Sequence, residues 1–216
     1  MVETNNGFDV DAELARIQQD DVLASMTKFL EVNTPFPIRV TTAQQICNMN
    51  DHKDVALVFD MRSETAFNTC RLDKSINFSI ERFKEETFVK WAQEVRALET
   101  DSSLFKNKYQ EHAFKRRRRH WVFIIGAHNS DNLNKMVLEM GRFASKEDLA
   151  ELIAGLSTEQ EKLDFLSLRN AMCLFKALKK ERLRELDLNI CGFDKIEKQY
   201  KHHCLDSNGS HMIPRP

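Results

Sequence analysis

The chain has 216 residues, of which 42% are hydrophobic, with 32 basic residues balanced by 33 acidic ones. These values suit one domain with a real core, and they exclude both wholesale disorder and a globally basic nucleic-acid-binding protein. No apolar run approaches the roughly 20 residues of a membrane helix, and the first residues, MVETNNGFDVDAE, have no secretory or Arg-rich targeting pattern. We therefore expect the cytoplasm, or a compartment continuous with it such as the cytoskeleton or a cilium.

Residues 9–31 have the spacing of an amphipathic helix with acidic residues near its start, where the helix dipole favours negative charge. The segment ends at the prolines of TPFP, which force an extended chain. Its apolar stripe either packs on the domain or docks to a protein partner, and both interpretations remain open. The stripe consists of Val22, Leu23, Met26, Phe29 and Leu30.

Strands and helices alternate along the following residues. A short strand at 38–40 precedes a helix that Thr41 or Thr42 can cap, and the apolar run at 55–60 suits a strand buried on both faces. Ser63 can cap the next helix, and another short strand follows at 76–78.

The second half of the chain repeats this alternation around one apolar strand, at 121–125. A polar helical stretch and the basic run Lys115, Arg116, Arg117, Arg118 and Arg119 precede this strand. A polar loop follows it, formed by Gly126, Ala127, His128, Asn129, Ser130 and Asp131. Helices are predicted near 131–143, over 146–166 with a break at Gly155, and over 167–183; a last strand at 186–190 leads to a turn and a closing helix. The class is α/β, with a mainly parallel sheet and helices on both faces.

Three segments resemble the rhodanese family, in the family's order. Residues 57–78, LVFDMRSETAFNTCRLDKSINF, resemble its strand ending in Asp-x-Arg, its helix with Glu and Phe, and its Ile-Asn strand. Residues 121–126, WVFIIG, resemble the strand before the active-site loop, and residues 169–200 resemble the helix, last strand and Gly-Gly-Phe turn, with Cys191 replacing the first glycine. The residues of the first segment that match are Asp60, Arg62, Phe67, Ile76 and Asn77.

The resemblance implies a domain organisation in three parts. They are an N-terminal helical extension at 1–34, a rhodanese-like domain at 35–205 with helical inserts at about 79–118 and 131–166, and an extended tail at 206–216.

The catalytic features of the resembled family are missing. Its persulfide chemistry needs a cysteine at the end of the central strand, at the head of a loop of backbone N–H groups, and usually an arginine. The matching position here is Ile125 or Gly126, and the loop contains neither cysteine nor arginine. Roughly forty residues also separate this strand from the helix at 167–183, whose N-terminus supports the anion in active members. We expect a degenerate loop that is pulled away or covered.

No cofactor or metal site is predicted. The five cysteines are scattered without a C-x-x-C pair, so reduced and mostly buried thiols are expected. His128 with Asp131, and the pair His202–His203 beside Cys204, lack the complementary spacing of a metal site, and no glycine-rich phosphate loop is present.

The main hypothesis is a catalytically inactive domain, not an enzyme, that acts as a structural or protein-interaction component of a larger assembly. One alternative is a sulfurtransferase or redox enzyme with a relocated nucleophile, Cys70 or Cys191. A second is a regulatory domain that binds an acidic, kinase or phosphatase partner through the basic run. Nucleic acid is not expected because no aromatic residues interleave the arginines.

Overall fold

The fold was determined from a computed structural model, which describes residues 8–19, 39–40, 42–51, 56–82, 105, 108–140, 146–180 and 189–213. The helices are α1 (Val10–Gln19), α2 (Ala43–Asp51), α3 (Glu64–Thr69), α4 (Lys108–Lys115), α5 (Ser130–Met140), α6 (Lys146–Ala154), α7 (Glu159–Lys180) and α8 (Asp194–Gln199), with 3₁₀ turns at Arg117–Arg119 and Lys201–His203. The strands are β1 (Arg39–Val40), β2 (Ala56–Asp60), β3 (Arg71–Leu72), β4 (Ile76–Asn77), β5 (Trp121–Ala127), β6 (Asn189–Gly192) and β7 (Cys204–Leu205).

Five of these strands form one parallel sheet in the order β1-β6-β5-β2-β4. The other two, β3 and β7, pair with each other as an antiparallel ribbon. Helices flank the sheet, so the predicted α/β class with a mainly parallel sheet is confirmed.

Both faces of the sheet are buried, as the apolar strands predicted. Leu57 and Phe59 of β2 enter one hydrophobic cluster, which includes side chains of α7, while Val58 enters a second cluster beside α2 and α8. The residues of β5 alternate in the same way. Strands buried on two faces favour continuous β-branched and aromatic runs, which explains VALVF and WVFII.

Hydrogen-bonded caps mark where several helices begin. Thr42 Oγ1 accepts from the Gln45 N–H at 3.3 Å while Gln45 Oε1 accepts from the Thr42 N–H at 3.1 Å, which is a capping box. Ser63 Oγ accepts from the Ala66 N–H, as the predicted cap requires. A second capping box joins Thr158 and Glu161, and it lowers the pKa of Glu161 to about 2 through hydrogen bonds from the Thr158 and Ser157 N–H groups.

The observed helix boundaries between residues 146 and 183 differ from the predicted ones. The predicted break at Gly155 is confirmed, because α6 ends at Ala154, but the predicted boundary between 166 and 167 is wrong, because α7 runs without interruption from Glu159 to Lys180. Reciprocal capping by Thr158 and Glu161 stabilises a new helix start, whereas the apolar spacing on its own suggested a break inside one helix.

Two further boundaries differ from the prediction. The last strand, predicted at 186–190, continues through Cys191 and Gly192, because their backbones pair with Ile125 and Ala127 of β5. The tail was predicted to be extended, but residues 206–211 turn back and His211 bridges to Leu205.

The described part of the N-terminal extension packs on the domain. Leu14 is buried in the core, Glu13 Oε1 accepts from Arg169 Nη1 at 2.8 Å, and Asp11 Oδ1 accepts from Lys162 Nζ at 2.6 Å. Both partners lie on α7, so α1 is held against that helix. The apolar stripe predicted for docking (Val22, Leu23, Met26, Phe29 and Leu30) lies outside the described residues.

Candidate functional site

The predicted loop after the central strand is much shorter than the sequence suggests. Gly126 and Ala127 still belong to β5, and Ser130 and Asp131 already belong to α5, which leaves His128 and Asn129 as the connection. Asn129 caps α5, because its Oδ1 accepts from the Asp131 N–H at 2.8 Å and the Asn132 N–H at 3.1 Å. A helix therefore begins directly after the loop, in agreement with the helix predicted near 131–143. The loop was expected to be pulled away or covered, and a side chain of α7 lies against it.

The loop is covered by a buried carboxylate that belongs to α7. Asp164 Oδ1 accepts from the His128 N–H at 2.7 Å, and Asp164 Oδ2 accepts from the Asn129 N–H at 3.2 Å. Asn132 Nδ2 and Gln160 Nε2 donate to the same carboxylate at 3.0 and 2.9 Å. Burial raises the pKa of Asp164, although these four hydrogen bonds act in the opposite direction. Asp164 thus accepts the hydrogen bonds of the two backbone N–H groups that an exogenous anion would need at a strand-to-helix turn.

A second carboxylate closes the other side of the turn. Asp194 Oδ1 accepts from the Ser130 N–H at 3.0 Å and from the Ser130 hydroxyl, and the Asp194 N–H donates to His128 O at 2.8 Å. Burial by itself would raise the pKa of Asp194, but the hydrogen bonds from Ser130 bring it below its ordinary value. Gly192 lies so close to Ser130 that a Cβ at residue 192 would meet Ser130 Cα at 2.5 Å.

The Asp-x-Arg motif forms a buried ion pair beneath this turn. Arg62 Nη2 donates to Asp60 Oδ2 at 2.7 Å and to Cys70 O at 2.8 Å, while Arg62 Nη1 lies 3.4 Å from His128 Nδ1. The guanidinium carbon stands 3.5 Å from the centre of the Phe193 ring, so the arginine is stacked as well as hydrogen-bonded. Because Arg62 is 2% exposed, its charge is committed to holding loops together and is not presented to a ligand.

A cleft of about 400 Å³ lies near the same turn, between the ends of β6, α2, α5 and α8. Its wall includes Ser130, Gly192, Lys195 and Tyr200. Clefts at the carboxyl ends of parallel strands are common ligand sites. In this cleft, however, N–H groups at the start of α2 and of α5 already donate to Thr42, Asp194 and Asn129.

Four cysteines are buried, and they share one hydrophobic cluster: Cys47, Cys70, Cys191 and Cys204. Burial raises the pKa of Cys47 to about 12, and it raises that of Cys191 well above its ordinary value. Hydrogen bonding between the two thiols lowers the pKa of Cys70 and raises that of Cys204. Of the two proposed nucleophiles, Cys191 therefore has the properties of an unreactive core thiol.

The predicted basic run does not form one exposed patch. Arg117 is buried: its Nη1 donates to Phe114 O at 3.0 Å and its guanidinium carbon stands 4.2 Å from the Phe114 ring centre. Arg116 and Arg119 are exposed, and Lys115 is paired with Glu111. Arg118 belongs to the 3₁₀ turn, and its side chain is outside the described residues. Of the predicted interaction residues, Arg117 serves the core and not a partner.

Sequence reasoning missed Asp164, although a signal was present. This acid lies between Leu163 and Phe165 in an apolar run, and an acid in such a place needs hydrogen-bond donors around it. Gln160 one turn earlier supplies one of them. The other donors come from a loop about 35 residues away in sequence, and only the tertiary structure brings them together.

Within the described ranges, no group of three or more His, Cys, Asp and Glu side chains is arranged to hold a metal ion. None of the helices in those ranges is both long and apolar enough to cross a membrane. In comparisons with known proteins, no family model, no curated protein and no solved structure matches the chain.

Proposed function

We propose that this chain is a catalytically inactive rhodanese-like domain that serves as a structural or protein-interaction component of a larger assembly. The observation that carries the proposal is the Asp164 carboxylate, which accepts from the N–H groups of His128 and Asn129. A resident carboxylate excludes an anionic substrate from that turn by charge and by volume, and the turn contains no nucleophilic thiol. We place the protein in the cytoplasm or a compartment continuous with it.

The order of elements supports the family assignment within this proposal. Strand β2 ends at Asp60, Arg62 follows, and α3 then contains Glu64 and Phe67 before β4 supplies Ile76 and Asn77. Asn77 Nδ2 donates to both Asp60 O and Arg62 O, so the motif residues form one hydrogen-bonded unit. A unit of this kind serves folding, and it is compatible with a domain that has no activity.

The surface beside β5 supports the interaction role. Trp121 is 44% exposed and lies two residues after Arg119, the last residue of the 3₁₀ turn, and Tyr109 of α4 is 54% exposed. Exposed aromatic side chains next to arginines are typical of binding surfaces for proteins. An acidic protein surface is the partner that this combination favours, which also accommodates a regulatory role toward a kinase or phosphatase.

Catalytic inactivity is tested by a thiosulfate:cyanide sulfurtransferase assay combined with thiol labelling of the full chain. We expect no thiocyanate above the uncatalysed rate, and Cys47 and Cys191 should label only after denaturation because both are buried with raised pKa values. Turnover that disappears when one cysteine is replaced by alanine would reject the proposal.

The interaction role is tested by native purification of tagged full-length protein, comparing wild type with a Trp121→Ser, Arg116→Ser, Arg119→Ser triple variant. We expect the variant to lose co-purifying partners while keeping its thermal stability, because these side chains are exposed. A matched control replaces the exposed Lys135 and Lys201, which lie away from this surface in the sequence, by serine. Equal recovery of partners by all three proteins would exclude the surface beside β5.

A relocated-cysteine enzyme remains the second candidate, and one observation favours it for Cys70. Hydrogen bonding with Cys204 lowers the pKa of Cys70, and the Arg62 charge acts in the same direction, while burial and the charges of Glu197 and Asp60 oppose them. This candidate predicts that Cys70 is alkylated by iodoacetamide near pH 7 much faster than the other cysteines. Slow labelling of Cys70, at the rate of Cys191, would remove it.

A further inference from the structure

Three sulfur atoms meet at the antiparallel ribbon of β3 and β7. Leu72 pairs with Cys204 in the ribbon, and this register places Cys70, just before β3, on the same face as the Cys204 thiol, which donates to Tyr200 O at 3.8 Å. The third sulfur belongs to Met212, whose Sδ lies 3.2 Å from Cys70 Sγ. Residues 142 positions apart in sequence are thus joined by a sulfur–sulfur contact.

The chain turn after β7 is what places the methionine there. Asp206 Oδ1 accepts from the Asn208 and Ser210 N–H groups at 2.9 Å each, which closes the turn. The Met212 N–H then donates to Cys204 O at 3.0 Å, so the backbone of Met212 is tied to the strand that contains one of the thiols. These hydrogen bonds hold the Met212 backbone beside Cys204, within reach of the thiols.

The three sulfur-containing residues differ in solvent exposure. Cys70 and Cys204 are 4% and 0% exposed among apolar side chains of the second core cluster. Met212 is 40% exposed, so the third ligand belongs to a residue at the surface. The trio therefore joins two buried thiols to one surface thioether.

We infer that Cys70, Cys204 and Met212 form a binding site for a soft monovalent metal ion, Cu(I). Two thiols and one thioether are ligands that select Cu(I), whereas carboxylate and carbonyl oxygens, which suit Mg²⁺ or Ca²⁺, are not part of this trio. On binding, each thiol loses its proton to solvent and each sulfur donates a lone pair to copper, so the ion displaces two protons and no electron is transferred. The bound unit has a net charge of −1.

The Arg62 guanidinium donates to Cys70 O at 2.8 Å, and its positive charge favours a thiolate at Cys70, while the charges of Glu197 and Asp60 oppose it. With metal–sulfur bonds of about 2.3 Å and a trigonal angle, ligand sulfurs stand about 4.0 Å apart. The Met212 sulfur must therefore withdraw by about 0.8 Å from its present contact, a movement that an exposed side chain can make.

The test is anaerobic competition for Cu(I) between the reduced full-length chain and bicinchoninate. We expect one Cu(I) per chain, with the affinity reduced at least about 100-fold in Cys70→Ala and in Cys204→Ala, which exceeds the effect of losing a merely supporting contact. Met212→Leu, at an exposed position, should fold normally and lose about 10-fold. Release of two protons predicts an affinity rising about 100-fold per pH unit below the thiol pKa values.

The matched control is Cys191→Ala, which removes a buried thiol from the same core cluster without touching the trio. It should bind Cu(I) like wild type, and X-ray absorption should count three sulfur neighbours in wild type but two in Met212→Leu. Failure of wild type to take Cu(I) from bicinchoninate would overturn the inference. So would full binding by the Cys70→Ala, Cys204→Ala double variant, or preferential uptake of Zn²⁺ from an equimolar mixture.

Discussion

Replacing Asp164 by alanine tests whether its carboxylate occupies an anion-binding position at the turn. The substitution removes both carboxylate oxygens from the turn after β5 and leaves the N–H groups of His128 and Asn129 without their acceptor. Asn132 and Gln160 lose an acceptor too, but their amide side chains are able to rotate toward water. The two backbone donors cannot turn away, because β5 and α5 fix their directions.

The expected loss in the free energy of unfolding follows from these two N–H donors. An unsatisfied buried N–H costs about 1–3 kcal/mol, so two would cost about 2–6 kcal/mol if the cavity stayed dry. Two effects reduce this cost. Water enters the space left by the carboxylate. The substitution also removes a buried acid whose pKa is raised, and a raised pKa means that ionisation of the acid opposes folding. We therefore expect the free energy of unfolding to fall by about 1–3 kcal/mol at neutral pH.

Sulfate supplies the decisive measurement, since it is an anion that can bind the freed donors. If it binds the Asp164→Ala variant with a Kd of about 10 mM, 100 mM sulfate restores about 1.4 kcal/mol through mass action. Sulfate also stabilises proteins generally by exclusion from their surface. The assay is therefore urea unfolding of wild type, Asp164→Ala and the exposed control Glu159→Ala, each at 100 mM sulfate and at equal ionic strength in chloride.

Two results would contradict the argument. If Asp164→Ala is as stable as wild type, the carboxylate is not a required acceptor for the turn. If sulfate stabilises the three proteins equally, the freed N–H groups do not form an anion site, and the inactivity of the domain has another cause.

Three further substitutions test the packing around the site. Gly192→Ala should lower the free energy of unfolding by about 2–3 kcal/mol in urea titrations, because the new Cβ meets the backbone of Ser130 at 2.5–2.6 Å. Arg62→Met should cost about 3–5 kcal/mol by the same measurement, since it leaves the buried carboxylate at the end of β2 unpaired. Glu13→Gln should cost about 1 kcal/mol at pH 7, because its pKa is lowered despite burial by hydrogen bonds from Arg16 and Arg169. A carboxyl with a lowered pKa stabilises the fold above its unfolded value of 4.5 and loses that effect as pH falls, so the Glu13→Gln difference should shrink toward pH 3.

Each substitution has a control of the same type. Gly155→Ala places its Cβ 3.4 Å from the nearest atoms and should change stability by less than about 1 kcal/mol. Arg82→Met breaks a partly exposed ion pair with Glu64 and should cost no more than about 1 kcal/mol. Glu151→Gln, at an exposed position of α6, should show no comparable pH dependence. If a control matches its test variant, the effect cannot be assigned to the contact in question.

Local chemistry was readable from the sequence alone. The apolar runs at 55–60 and 121–125 predicted buried parallel strands, because burial on both faces requires continuous apolar side chains. Ser63, and either Thr41 or Thr42, were predicted as caps because a hydroxyl before a helix satisfies N–H groups within three residues; the structure shows Ser63 and Thr42 in this role. The missing cysteine after β5 was equally visible, since it depends only on which residue follows the strand.

What needed the tertiary structure is every contact between distant segments. Asp164 covers the turn at His128 because α7 crosses the end of β5, and no periodicity within α7 contains that information. The sequence predicted Arg117 to be part of a basic surface, but in the structure Arg117 is buried in the core against Phe114. The trio of Cys70, Cys204 and Met212 depends on a two-residue ribbon and a chain reversal. Side-chain type and spacing determine local hydrogen bonds and burial, whereas the register of distant strands determines which groups meet.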